Sequence, residues 1–372
     1  MRRLLVTGGA GFIGANFVHY WLGQHPHDRV VVLDALTYAG NRANLGSLES
    51  HPGLRFVHGN ILDENLVKSL LETEQLDTIV HFAAESHVDR SILGPDAFLD
   101  TNVMGTHSLL KAAKSVWLNG PLRDGHRFHH VSTDEVYGSL GPSDPPFTET
   151  TPYAPNSPYS ASKAASDHLV RAYNHTYGLN VTTSNCSNNY GPYHFPEKLI
   201  PLTIVNILNG KALPIYGDGR NVRDWLHVED HCRGIECILT RGRIGEVYNL
   251  GGQGERENID LVKQLCEIAD AEFAADETLR GAYPECPAAR EAHCRSLITF
   301  VKDRPGHDRR YAIDLSKAAR EVNYSPAVSL DTGLRQVFRW YAENRSWWMA
   351  VMDGSYRDWL DSNYSSRRSS RD

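Results

Sequence analysis

Short apolar, β-branched runs alternate along this chain with longer stretches in which apolar positions recur every three or four residues. Leu4–Thr7, Val30–Leu33, Leu54–Val57, Thr78–Phe82, Phe128–Ser132 and Val181–Ser184 read as strands. Helical periodicity separates them at Phe12–Leu22, Asn65–Thr73, Ala97–Trp117 and Ser160–Tyr177. Alternation of this kind predicts a parallel sheet, because each parallel connection needs a crossover. The expected fold is α/β, a Rossmann-type doubly wound parallel sheet with a smaller C-terminal α/β lobe for substrate. From Tyr190 the texture changes to Pro- and Gly-rich segments, Gly191-Pro192, Pro196, Pro201 and Gly217-Asp218-Gly219, as in loops that close over a ligand. Val247–Leu250 reads as a further buried strand that returns to the first lobe. The predicted division is 1–189, then 190–364, then a frayed polar tail at 365–372.

Length supports two lobes, since 372 residues exceed the ~250–300 at which single cores stop growing. Apolar residues at 41% and charged residues at 22% suit a globular protein with a substantial core. The net charge of −7 argues against nucleic acid or an anionic membrane as partner, both of which select basic surfaces. Any anionic ligand must be gripped locally. The six cysteines form no CxxC pair and have no zinc-finger spacing, so reduced thiols, a cytoplasmic location and no metal are expected. The apolar run after Met1 breaks at Thr7-Gly8-Gly9, unlike a signal peptide, and no stretch approaches the ~20 apolar residues of a membrane span.

Gly8-Gly9-Ala10-Gly11-Phe12-Ile13-Gly14 stands between the first predicted strand and helix. Glycines there permit a tight turn and bring a pyrophosphate against backbone N–H groups at the positive end of the helix. Asp34 closes the second strand, where a carboxylate accepts hydrogen bonds from an adenosine ribose 2′-OH and repels a 2′-phosphate. The cofactor predicted is therefore NAD in preference to NADP, with Arg42 near enough in sequence to soften the exclusion slightly. The competing reading is a glycine turn that only packs helix on strand.

Tyr159 and Lys163 form a YxxxK on a predicted helix, one turn apart on one face. A nearby ammonium and a cationic nicotinamide ring are expected to lower the phenol pKa and make Tyr159 a base able to take a hydroxyl proton as a hydride leaves for NAD. Thr133 precedes it at the end of a strand and is followed directly by Asp134 and Glu135. Moving one hydride and one proton at one carbon needs only Thr, Tyr and Lys. An added acid and base, pointed at the cofactor cleft by the strand, predict an elimination.

The runs His130–Gly138, Tyr159–Asp167, Asn185–Leu202, Arg223–His231 and Asp303–Asp314 resemble the dTDP-glucose 4,6-dehydratase family of the extended short-chain dehydrogenase/reductase superfamily, from Arg2 to about Tyr364. The resemblance implies that Tyr159 is the base at O4, Glu135 takes the C5 proton and Asp134 protonates the departing C6 hydroxyl. Thr133 would bond the hexose and Lys163 the nicotinamide ribose, with NAD bound tightly and regenerated in each cycle. It further implies cofactor contacts from Gly8, Gly11, Phe12, Ile13 and Gly14, from Asp34, Ala35, Leu36 and Thr37, and from Asn60 and Ile61. Phe82, Ala83, Ala84, Ser86, Thr101 and Asn189 complete that set. Ser86 would also meet the hexose, beside Asn188, Lys198, Leu199, Pro214, Ile215, Tyr216 and Asn258. Asn60 departs from the family, which usually has Asp against adenine; altered affinity is expected.

A diphosphate needs cationic donors, for which Arg223 and Arg304 are the candidates, assisted by His307. A UDP-sugar 4-epimerase, a decarboxylase of the same superfamily and a non-catalytic NAD-sensing regulator remain the alternatives. Helices Ala97–Trp117 and Ser160–Tyr177 could pair with their copies, and the resemblance implies a homodimer.

Overall fold

The computed structural model describes residues 1–122, 125–303 and 307–352. One sheet contains β1 (Arg3–Thr7), β2 (Arg29–Asp34), β3 (Leu54–His58), β4 (Thr78–His81), β5 (Arg127–Thr133), β6 (Val181–Cys186) and β7 (Val247–Leu250). Its order is β7-β6-β5-β4-β1-β2-β3, with every neighbouring pair parallel. Strand residues alternate between two cores, as a period of two requires. Leu4, Val6, Val30 and Val32 face α1 (Phe12–Gln24) and its neighbours. Leu5, Val31 and Leu33 face α2 (Glu64–Thr73) and α3 (Thr106–Trp117). Burial on both faces explains why the strands are nearly unbroken runs of Val and Leu. The strand order reverses between β1 and β4, and such a reversal opens a crevice at the carboxyl ends of the strands.

The C-terminal half has its own core, built from helices Leu199–Leu208, Asn258–Ala275 and Leu330–Glu343. A parallel pair, Leu213–Tyr216 with Ile298–Val301, lies against it. The chain after 190 also returns to the sheet. β7 pairs with β6, and helices Val228–Arg241 and Ser316–Val322 pack into the first core.

Two helices differ from the periodic reading. α4 spans Pro158–Tyr177, starting two residues earlier than predicted, because Ser157 caps it reciprocally with Ser160 and Pro158 supplies a preset first position. The stretch predicted as Ala97–Trp117 has an α-helical turn at Asp96–Phe98, a π-helical segment at Leu99–Gly105, and then α3. Periodicity does not register that extra residue. Its effect is to set Asn102 inside, where its side chain accepts from the Glu85 N–H at 2.8 Å and donates to the Glu85 carbonyl at 3.0 Å. Among the described residues no helix is long and apolar enough to cross a membrane. The predicted tail 365–372 lies outside the described residues.

Candidate active site

A cleft of about 440 Å³ runs from the carboxyl ends of β1 and β2 to the C-terminal core. Its floor is the glycine turn. Gly8 takes a positive φ of 68°, and a Cβ there would lie 2.6 Å from the Ala83 nitrogen. A Cβ on Gly14 would lie 2.2 Å from the Gly8 carbonyl oxygen. Side chains are thus excluded where α1 meets the sheet, and Gly11, Phe12 and Ile13 bring the start of α1 to the cleft. That first turn has no acidic residue, and its N-cap Gly11 offers no side chain to its free N–H groups. An anion fits there.

Asp34 sits at the end of β2, 8% exposed, its two oxygens each accepting one backbone N–H, from Ala10 and Leu36 at 2.8 Å. Ala35 and Thr37 line the cleft beside it, whereas Leu36, in the left-handed region at φ 51°, is not among the cleft-lining residues. Arg42 turns away, its guanidinium 5.2 Å from the Phe56 ring centroid and 3.7 Å from Glu49. Arg42 therefore does not offset Asp34, and this end of the cleft suits a dinucleotide without a 2′-phosphate. Asn60 and Ile61 line the same end, with the Asn60 side-chain oxygen accepting from the Leu62 N–H at 2.9 Å. Phe82, Ala83, Ala84 and Ser86 follow β4 and form the opposite wall with Thr101 and Asn189.

α4 lies along β5 and delivers the reactive pair. Tyr159 is 8% exposed and hydrogen-bonded to Thr133. Burial, then the negative potential of Glu135 and of Cys186, holds its phenol well above the usual tyrosine value, against the pull of Thr133. Lys163, expected from its spacing to sit beside the phenol, has its hydrogen bond elsewhere. Its ammonium reaches the Val131 carbonyl oxygen at 2.8 Å and is 4% exposed. An i,i+4 spacing puts two side chains on one face without giving them one target.

Asp134 and Glu135 occupy a single 3-10 turn after β5, capped by Thr133. Consecutive positions on it point apart. Glu135 lines the cleft; Asp134 is 1% exposed and lies behind that wall. The strand thus directs only one of the two acids into the open cleft. Burial, then the negative neighbours Glu135 and Asp224, raise the Asp134 pKa well above its ordinary value, which favours the protonated acid. One of its oxygens has no hydrogen-bond partner among the described residues.

The far wall carries Asn188, Lys198, Leu199, Pro214, Ile215, Tyr216, Asn258 and His307. The side-chain oxygens of Asn188 and Asn258 are buried without partners among the described residues, a setting that suits a polar ligand. Arg223 also lines the cleft, but it is held there by the carbonyls of Val222 at 2.8 Å and Asp308 at 2.9 Å and stacks 4.4 Å from the Tyr311 centroid. His307 bonds Asp303 at 2.7 Å. Arg304 lies outside the described residues.

The sequence did not single out a strap over the dinucleotide end. His194 stacks on Phe12 with centroids 4.1 Å apart. Glu197, 6% exposed, accepts from the Tyr38 hydroxyl at 3.3 Å and pairs with Arg90 at 3.5 Å. These partners lie far apart in the chain, so no local motif reports them.

The family model described as GDP-mannose 4,6 dehydratase matches residues 5–337. A dTDP-glucose 4,6-dehydratase of Xanthomonas campestris pv. campestris is 56% identical over 96% of this chain and 98% of its own length. One of Shigella flexneri is 49% identical over 98% and 100%. Among solved structures, DesIV, the dTDP-glucose 4,6-dehydratase of Streptomyces venezuelae with NAD and TYD bound, superposes with a TM-score of 0.81 at 50% identity, covering 94% of this chain and 99% of that one. Agreement at this level over nearly the whole length, together with the cleft, means that the chain belongs to the dTDP-glucose 4,6-dehydratase family.

Proposed function

We propose that the chain converts dTDP-glucose to dTDP-4-keto-6-deoxyglucose and water, with NAD as a resident cofactor. The observation that carries the reading is the pairing, on one turn, of a cleft-lining Glu135 with a buried Asp134 whose surroundings favour the protonated form. An oxidation or epimerisation at C4 has no use for that second acid and base.

The residues that would hold NAD are the Gly8–Gly14 turn, Asp34 at the adenosine ribose, and Lys163 at the nicotinamide ribose. The chemistry NAD would supply when bound is to take hydride from C4 and return it to C6 after water has left, as a proton goes back to C5, so none is consumed overall. Tyr159, fixed against Thr133, would take the proton from O4 as C4 becomes a ketone, its phenol ionising only when the cationic nicotinamide ring lies beside it. That ketone acidifies the C5–H, and Glu135 removes the proton. Asp134, which lies just behind Glu135, would turn its unpartnered oxygen to the cleft to give a proton to the C6 hydroxyl, which leaves as water. Thr133 orients the hexose, and Arg223 faces the diphosphate from the second lobe with its guanidinium already anchored. Asn188, Lys198, Leu199, Tyr216, Asn258 and His307 complete the substrate side.

Purified protein given a panel of nucleotide sugars should form a 4-keto-6-deoxy product from dTDP-glucose without added NAD. Recovery of unchanged sugar, or of its 4-epimer, would overturn the reading.

The two cores support taking 1–189 as the dinucleotide domain, joined by β7, and 190–364 as mainly the nucleotide-sugar lobe. We read the active form as a homodimer. Ile92, Leu93, Leu99 and Met104 leave 41, 76, 51 and 51% of their surface exposed on consecutive turns before α3, and Tyr177 ends α4 at 45%. Monomers rarely leave so much apolar side chain in one region. Light scattering is expected to give the mass of two chains, and substitution of Leu93 and Met104 by Glu should halve it; a wild-type mass of one chain would remove the dimer. Six free buried cysteines suit the reducing cytoplasm, which cell fractionation checks.

A further inference from the structure

α4 is joined to β5 in register, turn by turn. Tyr159 bonds Thr133, and Lys163 donates to the Val131 carbonyl at 2.8 Å. One turn further, Asp167 accepts from His130 Nε2 at 3.0 Å and from the Ser132 hydroxyl at 2.9 Å. The Tyr153 hydroxyl is a third donor at 2.9 Å. Asp167 is 6% exposed. A carboxylate this deep, given so many donors, is costly to build unless its charge is needed.

The charge it answers is on Lys163. The titratable groups facing that ammonium are Tyr159, Asp167, Cys186, His81 and His130. Burial, with neighbouring cations, holds both imidazoles well below their ordinary value and therefore neutral. Burial pushes the Cys186 thiol up to about 12 and the Tyr159 phenol higher than usual, so neither carries charge at neutral pH. Burial also raises Asp167, to about 6, and Lys163 with its hydroxyl donors limits the rise, so Asp167 is ionised at neutral pH. It is the one anion of this group.

We propose that Asp167 is a positioning residue for the reaction: it keeps Lys163 cationic and locks α4 to β5 so that Tyr159 meets Thr133 at the cleft. The inference rests on the function proposed above.

Asp167→Asn keeps the shape and removes the charge. Without the carboxylate the charged lysine is less favoured, so Lys163 loses its proton at lower pH. The alkaline limb of kcat should fall to lower pH by ~1–3 units, and retention of NAD through gel filtration should fail over the same interval. The acidic limb should stay, because Asp167 is not among the groups that set Tyr159. A uniform loss of rate with both limbs unmoved would overturn the proposal. Tyr153→Phe is the control. It removes a donor and leaves the charge, so its alkaline limb stays put; a shift as large as that of D167N would make the role one of packing alone.

If D167N does not fold, wild-type protein with ¹³C-labelled lysine decides. The Lys163 resonance should inflect near pH 6 as Asp167 takes up its proton, and a flat titration overturns the coupling. Failure of the dehydration itself would already appear in wild-type enzyme at neutral pH, whereas failure of this inference leaves wild-type turnover intact.

Discussion

Tyr159→Phe is expected to lower formation of the 4-keto-6-deoxy product ~10²–10⁴-fold and to leave the bound cofactor oxidised when dTDP-glucose is mixed with the enzyme. The variant removes one oxygen. In the proposed reaction that oxygen is the acceptor for the O4 proton, and no later step can begin until C4 is a ketone. Folding should survive, because the ring packs edge-on against Phe98 with centroids 6.3 Å apart and the hydroxyl's partner, Thr133, keeps its contacts with the Glu135 N–H and Asp134. The assay is rapid mixing with detection at the absorbance of reduced nicotinamide, beside product analysis. Rapid cofactor reduction in this variant would assign the O4 proton to another group.

Glu135→Gln separates the two halves of the reaction. The amide occupies the same volume and cannot take a proton from C5. Product should fall by a similar ~10²–10⁴-fold, but now mixing with dTDP-glucose should convert the cofactor to its reduced form and hold it there. The substitution also removes a negative neighbour that raises both the Tyr159 and the Asp134 pKa. Tyr159 should then act as a base at slightly lower pH, so the acidic limb of the first oxidation should move down. Normal product, or no cofactor reduction, would count against Glu135 as the C5 base. Read together, the two variants report order: one blocks before oxidation, the other after it.

Much of this was legible in the chain itself. Runs such as Val30–Leu33 announce a strand buried on both faces, and glycines between a strand and a helix announce a phosphate turn, because both are local demands on backbone and side-chain size. Asp34 was legible for the same reason. The fate of Asp134 and Glu135 was not, since a strand read to Ser132 does not say that Thr133 will cap a 3-10 turn and send adjacent acids to different environments. Nor did spacing tell where Lys163 ends: it shares a face with Tyr159, yet bonds the Val131 carbonyl. The strap at Glu197 and the anchor of Asp167 on His130 depend on residues brought together only by the tertiary fold.

The return of the later chain to the sheet bears on how the enzyme could be cut or fused. β7 covers the free edge of β6, and helices 228–241 and 316–322 seal one face of the sheet. A fragment stopped at 189 would show β6 as a bare edge and an uncovered apolar surface, the combination that drives sheet-to-sheet aggregation. The sugar-binding part is therefore an excursion moored at several points and not a detachable module. Swapping that part for another specificity has to carry β7 and both sealing helices along with it.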